Sequence, residues 1–296
     1  MKKRIVCLAL AVLTALTFTA CGQKKDHDKK EITVGSKGFT ENLILSELYA
    51  LALEDAGFEV EREFEISNAV IHQTLCEGEI DLYPEYTGTA LMTILQQPML
   101  TDPQKVYDSV KQSYEEQFDL TLLAMCEASD GNALVIRKET ARKYGIRTIS
   151  DLKKQAPNIR FGSTADFYER EDGLLGLEKT YGEFAFASEN SFDNALKYQV
   201  LKSDEVDCVP AYTTDAYLRD EAFLLLEDDK AFWPPYNIVP VIRTDVLEQY
   251  PEAAEAIDRV SKALDTETLM QLNAAVDLDK EEYEDVAEAF YESLEK

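Results

Sequence analysis

The stretch Asp81-Leu82-Tyr83-Pro84-Glu85-Tyr86-Thr87-Gly88-Thr89 joins a predicted strand to a predicted helix. The strand covers residues 79–86, and the last three residues of the stretch open the helix. Strands and helices alternate in this way along the chain, which predicts an α/β fold with mostly parallel sheets covered on both faces. Ligands of such sheets lie beyond the carboxyl ends of the strands. This places Tyr86, and farther along the chain Tyr212 and Tyr236, at a cleft.

Hydrophobic periodicity and capping residues predict the other elements. We predict further strands at 31–35, 58–66, 120–126, 133–137, 159–162, 206–212 and 238–242. We predict further helices from the cap Thr40 to Gly57, from Ser67 or Asn68 to 76, from Asp102 to 118, a short one capped by Ser150, and at 174–181, 190–201, 249–264, 267–275 and 280–294. The chain shows no internal repeat and no linker near its middle. We therefore expect two domains joined by crossing strands.

The composition excludes several classes of function. The 296 residues include 30 Lys plus Arg against 57 Asp plus Glu, a formal net charge of −27. A reader of nucleic acids needs a basic footprint, and docking to anionic lipid by charge needs one too. With 45% hydrophobic residues the chain can bury a core, which argues against general disorder. The length is about twice that of a typical single domain.

The N-terminus has the pattern of an export signal. Lys2, Lys3 and Arg4 precede an apolar stretch, 5–20, that is shorter than a membrane span. The small residue directly before Cys21 resembles a bacterial lipobox. We predict a signal peptide at 1–20, a lipid on Cys21, a polar tether at 21–30, and a protein anchored on the extracytoplasmic face of a bacterial cell membrane. An ordinary signal peptide with a chance cysteine is the alternative.

Reactive and metal-binding motifs are missing from the sequence. It contains no GxSxG, GxxxxGK[ST], GxGxxG or HExxH motif. Its two histidines, His27 and His72, leave no basis for a histidine metal site, and we expect no cofactor. Cys76, Cys126 and Cys208 show no disulfide pattern and are predicted to be small buried hydrophobic residues. A glycosidase-like carboxylate pair stays open, because 57 carboxylates make any pairing uninformative.

Five motifs together carry a resemblance to a known family. They are Gly35-Ser36-Lys37-Gly38-Phe39-Thr40-Glu41, the stretch 81–89 quoted above, Glu169-Arg170-Glu171-Asp172-Gly173, Ala211-Tyr212-Thr213-Thr214-Asp215 and Pro234-Pro235-Tyr236-Asn237. Their order and spacing resemble those of the glycine betaine/choline-binding proteins of osmoprotectant ABC importers. The similarity runs from about Ile32 to the last helices.

The resemblance implies a bilobed periplasmic-binding-protein-like fold, with two α/β lobes joined by two hinge crossings. Residues 31–132 and 237–296 would form lobe 1, and residues 133–236 lobe 2. A small quaternary ammonium ligand, an ABC permease and its ATPase are the implied partners, and we expect a monomer. An enzyme, and an adhesin or structural lipoprotein without a ligand, are the alternatives from other classes.

The resemblance also implies roles for single residues. Tyr86, Tyr212 and Tyr236 would form an aromatic cage for a trimethylammonium group, worth about 0.5 to 2 kcal/mol per ring. Lys37, Thr89 and Arg170 would bind a ligand carboxylate. Other interpretations stay open: Thr89 as a helix cap, Lys37 as a solvated lysine, Arg170 in a surface ion pair, and Tyr212 and Tyr236 as packing residues, the role we assign to Tyr83 and Tyr198.

The sequence departs from the family at Asn132. This residue stands in Ser129-Asp130-Gly131-Asn132-Ala133-Leu134, where the family usually has a fourth cage tyrosine. The cage would then be open on one side, unless Asn132 or Asp130 meets a polar part of a larger ligand, or Asp130 pairs with the cation. Glycine betaine, choline, carnitine or a related betaine is the expected substrate. A larger betaine such as ergothioneine, or a non-quaternary, amino-acid-like solute, is the alternative.

Overall fold

The computed structural model describes residues 30–193 and 196–294. The strands are Glu31–Lys37 (β1), Glu59–Ile66 (β2), Leu82–Tyr86 (β3), Leu120–Leu122 (β4), Asn132–Arg137 (β5), Arg160–Ser163 (β6), Ser188–Ser191 (β7), Cys208–Tyr212 (β8), Phe223–Leu225 (β9) and Ile238–Arg243 (β10). The predicted signal peptide, Cys21 and the tether up to residue 29 lie outside the described residues. Within the described ranges, no helix combines the length and apolar character that a membrane span requires.

The helices surround these strands. They are Thr40–Asp55 (α1), Ile71–Glu77 (α2), Thr87–Thr89 (α3), Pro103–Phe118 (α4), Lys138–Tyr144 (α5), Ile149–Gln155 (α6), Leu174–Tyr181 (α7), Lys197–Lys202 (α8), Thr244–Gln249 (α9), Glu252–Ser261 (α10), Thr266–Asp277 (α11) and Tyr283–Leu294 (α12). A π-helical turn, Ala90–Ile94, continues α3. Short 3₁₀ turns lie at Ala156–Asn158, Asp166–Tyr168 and Ala216–Arg219.

Two five-stranded sheets organise the protein into two lobes. The first sheet has the order β2-β1-β3-β10-β4, and the second has the order β7-β6-β8-β5-β9. The expected α/β architecture with two lobes is confirmed. The prediction of mostly parallel sheets is wrong, because each sheet contains two parallel and two antiparallel pairs.

The chain crossings explain the mixed sheets. Residues 123–131 lead from β4 in the first sheet to β5 in the second, and residues 226–237 lead from β9 back to β10. A strand that follows a crossing starts at the edge facing the other lobe, whereas β3 and β8 end at that edge. β5 therefore pairs antiparallel with β8, and β10 pairs antiparallel with β3.

Both faces of the first sheet are buried. Ile238 and Ile242 of β10 belong to a core with α1, α10, α11 and α12, while Val239 and Val241 belong to a core with α2 and α4. This alternation is the two-residue period of a strand covered on both sides. In the second sheet, Leu134 and Val135 divide between two cores in the same way. Each lobe thus supplies a rigid platform for the residues at its facing edge.

Several local predictions need correction. Thr40 and Ser150 do not cap helices: Thr40 already lies inside α1 after Phe39, and Thr148 caps α6 by accepting from the Asp151 amide. The helix predicted from Ser67 or Asn68 begins only at α2, and the helix predicted from 190 begins after β7, a strand that the sequence analysis missed together with β9. Asp102 does cap α4, as predicted. Cys126 and Cys208 are buried as predicted, but Cys76 is exposed, because it lies on the outer side of α2.

The packing of Gly176 inside α7 generates a stability prediction. A Cβ at this position would lie 1.8 Å from the backbone oxygen of Glu171. Gly176→Ala should therefore lower the free energy of unfolding by about 1–3 kcal/mol, although alanine favours helix more than glycine does. Urea unfolding of the ligand-free protein measures this loss.

Gly38→Ala is the matched control. Its Cβ would have no neighbour closer than 3.8 Å, so the substitution should stay within about 0.5 kcal/mol of wild type. Equal stability of both variants and wild type would contradict the described packing of α7.

Candidate ligand-binding cleft

A cleft of about 630 Å³ lies between the two lobes. All eight residues that the sequence analysis selected as ligand-binding line it: Lys37, Tyr86, Thr89, Asp130, Asn132, Arg170, Tyr212 and Tyr236. They come from both sheets and from both crossing segments. Motifs that are up to about two hundred residues apart in sequence therefore share one surface.

Strand direction brings these residues together. Lys37, Tyr86 and Tyr212 are the last residues of β1, β3 and β8, at the edge where ligands of α/β sheets lie. Asn132 is the first residue of β5 and lies directly opposite Tyr212 in the antiparallel register. Tyr236 precedes β10 at the end of the second crossing. The cleft is thus lined by strand ends of one direction and strand starts of the other.

The three tyrosines present different surfaces to the cleft. Tyr86 is buried, and its hydroxyl donates to Glu41 Oε1 at 2.8 Å. Tyr212 is 42% exposed, so it is not a packing residue. Tyr236 is half-buried and lies against Gly88, where a Cβ would approach its Cδ1 to 2.7 Å. Only glycine at position 88 leaves room for this ring.

Lys37 forms a buried ion pair within lobe 1. Its ammonium group bonds to Glu85, and both side chains are at most 5% exposed. Lys37 Nζ also lies 5.1 Å from the centroid of the Tyr86 ring, and the Tyr83 hydroxyl donates to Glu85 Oε2 at 2.9 Å. The interpretation of Lys37 as a solvated lysine is therefore wrong. Its charge is balanced by Glu85 before any ligand arrives.

Arg170 and Thr89 occupy the positions expected of ligand-binding side chains, with different surroundings. Arg170 forms a two-point ion pair with Asp172, at 2.8 Å from Nε and 2.5 Å from the terminal nitrogen. This confirms the ion pair that was left open, and the pair lies at the cleft rather than away from it. Thr89 ends α3, and its side chain makes no capping hydrogen bond, so the interpretation as a helix cap is wrong.

Glu41, Asp215 and Asn273 are among the polar residues of the cleft that the sequence analysis missed. Asn273 Nδ2 donates to Glu41 Oε2 at 2.9 Å and to the backbone oxygen of Thr214 at 3.1 Å, which links lobe 1 to lobe 2. Asp215 pairs with Lys197 at 2.6 Å. Glu41 and Asp215 carry a weak sequence signal, because any one acid is inconspicuous among 57, and Asn273 lies in none of the five motifs.

Two of the cleft carboxyl groups have raised pKa values. Burial raises the pKa of Asp130 to about 8, and the neighbouring Glu41 charge adds to this effect, against a hydrogen bond from Thr214 Oγ1 at 2.7 Å. Burial also raises the pKa of Glu41, with a smaller contribution from Asp215 and in spite of its hydrogen bonds. Both shifts have the same cause, which is negative charge held away from water.

Tyr83 and Tyr198 lie behind the cleft. Both are buried, as expected of packing residues. Each hydroxyl also donates to a carboxylate that lines the cleft: Tyr83 to Glu85 and Tyr198 to Asp215 at 2.8 Å. These two tyrosines therefore support the cleft from behind.

Comparison with known proteins gives consistent results. The family described as the substrate-binding domain of ABC-type glycine betaine transport systems matches residues 30–293. A Pseudomonas aeruginosa glycine-betaine-binding protein is 31% identical over 297 residues, covering 97% of this chain and 93% of the relative. The crystal structure titled as a glycine betaine/carnitine/choline ABC transporter superposes with a TM-score of 0.84 at 28% identity, covering 88% of this chain and 98% of that one.

A further relative has a different ligand in its name. The ergothioneine transport permease/ergothioneine binding protein EgtU of Helicobacter pylori is 36% identical over 270 residues. The match covers 90% of this chain but 48% of the relative, so the chain spans about half the length of that protein.

Removal of the cation from the buried Lys37–Glu85 pair should destabilise the protein. Lys37→Met leaves Glu85 buried without its cation, and should lower the free energy of unfolding by about 3–5 kcal/mol. The exposed pair of Lys154 with Asp151, at 3.2 Å, provides the control, because Lys154→Met should cost less than about 1 kcal/mol. Urea unfolding measures the free energy of unfolding of both variants. Equal losses would show that the buried pair contributes no more to stability than the exposed pair.

Proposed function

We propose that this chain, which belongs to the family of substrate-binding domains of ABC-type glycine betaine transport systems, captures a quaternary ammonium compound between its two lobes. Members of this family are substrate-binding proteins of importers rather than enzymes. The chain is the substrate-binding component of an osmoprotectant-type importer. The chain therefore captures a small molecule and delivers it to the importer, without covalent chemistry.

One observation supports the quaternary ammonium ligand above the others. Three tyrosine rings, Tyr86, Tyr212 and Tyr236, line a single cleft that is also rich in carboxylates. A quaternary ammonium cation has no N–H to donate, so it gains little from hydrogen-bond acceptors. It gains from aromatic faces and from nearby negative charge. The lining of this cleft supplies both.

The other end of a betaine ligand carries a carboxylate, whereas choline carries a hydroxyl there. Arg170 lines the cleft beside the other two cage rings, since its charge acts on both Tyr212 and Tyr236. A planar guanidinium offers several N–H donors, so it can hold Asp172 and still receive a ligand carboxylate. Thr89 and Lys37 line the same cleft, and we propose that they also face the carboxylate end of the ligand. Both cations are paired with a carboxylate, but Arg170 is half exposed whereas Lys37 is buried, so Arg170 is the more accessible to a ligand carboxylate.

A larger betaine such as ergothioneine is the second candidate within this class. Asn132 presents a polar side chain where a fourth aromatic ring would close the cage, directly opposite Tyr212. The cleft volume of about 630 Å³ leaves room for a ligand beyond the smallest betaines. The name of the Helicobacter pylori relative agrees with this candidate.

Closure of the lobes would complete the site. We propose lobes at 31–132 with 237–296 and at 133–236, with the two crossings as the hinge. Contacts between the lobes already exist, including the pair of Arg219 with Asp279 at 2.8 and 2.9 Å. The closed, loaded protein would then dock on the permease. We further propose that it acts as a monomer, held by the lipid on Cys21 at the extracytoplasmic face of the membrane.

Thermal unfolding with a panel of candidate ligands tests this function. The panel contains glycine betaine, choline, carnitine, ergothioneine and several ordinary amino acids. A ligand that binds only the folded state raises its stability with the logarithm of ligand concentration over Kd. Stabilisation by quaternary ammonium compounds alone supports the proposal and ranks the substrates. Stabilisation by an ordinary amino acid alone would keep the fold and discard the cage.

Removal of cage rings should weaken binding. Tyr86→Ala and Tyr212→Ala should each raise the Kd of the preferred ligand about tenfold or more, since about 1.4 kcal/mol is tenfold. Calorimetric titration measures Kd, and Tyr144→Ala, a half-buried tyrosine outside the cleft, is the control. Wild-type affinity in both cage variants would show that the cage is assigned to the wrong residues.

Adding the missing ring should have the opposite effect on simple ligands. Asn132→Tyr places a fourth aromatic face beside Tyr212 and should lower the Kd of choline or glycine betaine severalfold, since one ring is worth about 0.5–2 kcal/mol. The same titration of wild type and variant measures the change. Unchanged or poorer affinity for both compounds would contradict the view that Asn132 leaves the cage open.

A further inference from the structure

Three carboxylates from three separate segments meet at one end of the cleft. Glu41 lies in the first turn of α1, Asp130 in the first crossing, and Asp215 after β8. Lys197 pairs with Asp215, and among the described residues no ion pair joins a cation to Glu41 or to Asp130. With all three groups ionised, two carboxylates therefore lack a cation.

This end of the cleft also has more hydrogen-bond acceptors than donors. Glu41 receives the Tyr86 hydroxyl and the Asn273 amide, and Asp130 receives the Thr214 hydroxyl. Asn273 is 5% exposed and lines the cleft, and its Oδ1 finds no donor among the described residues. A buried acceptor without a partner is costly, and a bound donor or a proton would satisfy it.

Physical chemistry allows two ways to relieve buried negative charge. A buried carboxylate without a cation either takes up a proton or acquires a positive partner. The raised pKa values of Asp130 and Glu41 agree with the first of these in the empty cleft. The unpartnered Oδ1 belongs to the side chain whose Nδ2 contacts Glu41, so the acceptor lies in the residue next to the carboxyl pair.

We propose that the empty cleft holds a proton on the Glu41–Asp130 carboxyl pair, and that a cationic ligand replaces this proton when it binds. The inference rests on the proposed function. One O–H bond of a carboxylic acid breaks, the proton passes to water or buffer, and the ligand forms no covalent bond. The positive charge of the quaternary ammonium group, which cannot itself lose a proton, then balances the carboxylate.

The direction of the pH dependence follows from this exchange. Below the pKa of the pair the ligand must expel a proton, so its affinity should rise with pH, by at most about tenfold per pH unit. Above about pH 8, where Asp130 is already ionised, the affinity should level off. The ligand-free protein should instead lose stability as pH rises between the ordinary pKa of Asp130, 3.8, and about 8, since the folded state holds the proton more tightly.

Other titratable groups also line the cleft near Glu41 and Asp130. Neighbouring groups on the packed elements are Tyr86, Tyr212, Asp215, Lys197, the Lys37–Glu85 pair, the Arg170–Asp172 pair and Asp277. Burial raises the pKa of the Tyr86 hydroxyl well above its usual value and also raises that of Tyr212, so neither phenol ionises below pH 8. Lys197 and Lys37 have carboxylate partners. The carboxyl pair is thus the group that exchanges a proton with the ligand near neutral pH.

Calorimetry at pH 7 in buffers of different ionisation enthalpy tests the exchange. Choline, glycine betaine and ergothioneine are titrated separately into the purified protein. The slope of binding enthalpy against buffer enthalpy gives the protons released, which should approach one per ligand. Glu41→Gln and Asp130→Asn should reduce this number and flatten the pH profile of Kd. Glu127→Gln removes an exposed acid outside the cluster and should leave the number unchanged.

Two further measurements make the outcome decisive. 3,3-Dimethyl-1-butanol, an uncharged analogue of choline, should release no proton and should bind more weakly than choline. Carboxyl-carbon NMR of wild type, without any substitution, should show a side chain titrating near pH 8 that shifts to lower pH on saturation with ligand. Binding of a quaternary ammonium compound without proton release, and with constant Kd from pH 6 to 9, overturns the exchange and leaves the proposed function intact. Failure of all three compounds, and of carnitine, to bind overturns both.

Discussion

Negative charge held partly away from water where the two lobes meet is the constraint on which the rest of the site depends. Glu41, Asp130 and Asp215 come from elements that are far apart in sequence, yet all of them line the cleft. Such a group is stable only with a proton, a protein cation or a ligand cation beside it. Lys197 and the hydrogen bonds of Asn273 and Thr214 stabilise part of this negative charge. The cation of the proposed ligand would balance the rest of it.

The crossings of the chain create this meeting point. Because β5 and β10 start at the edge where β3 and β8 end, both kinds of strand end deliver side chains into one space. Asn132 opposite Tyr212 is the direct result of that register. Tyr236 reaches the cleft from the second crossing, over a glycine at position 88 that leaves space for its ring. A fully parallel arrangement of the two sheets would supply strand ends alone.

The two α/β lobes and the tyrosines of the cleft could be predicted from the sequence, because a tyrosine that follows an apolar strand is recognisable from its neighbours in the chain. A contact between distant residues carries no such local signal: the pairing of Lys37 with Glu85 is fixed only by the fold. The pairing of Arg170 with Asp172 is local, and the fold adds only its place at the cleft. Glu41 and Asn273 lie in ordinary helices of a strongly acidic chain. The four polar residues of β7 have no apolar alternation, and β9 has three residues, so neither strand shows the usual pattern.

The most direct test of the central claim is a crystal structure of the protein with the quaternary ammonium compound that stabilises it most. The account predicts that the ammonium nitrogen lies within about 6 Å of the ring centroids of Tyr86, Tyr212 and Tyr236. Glu41 and Asp130 should face the same cation, and Arg170 should face the opposite end of the ligand. An ammonium group bound away from these rings, or bound with its positive charge turned toward Arg170, would contradict the account.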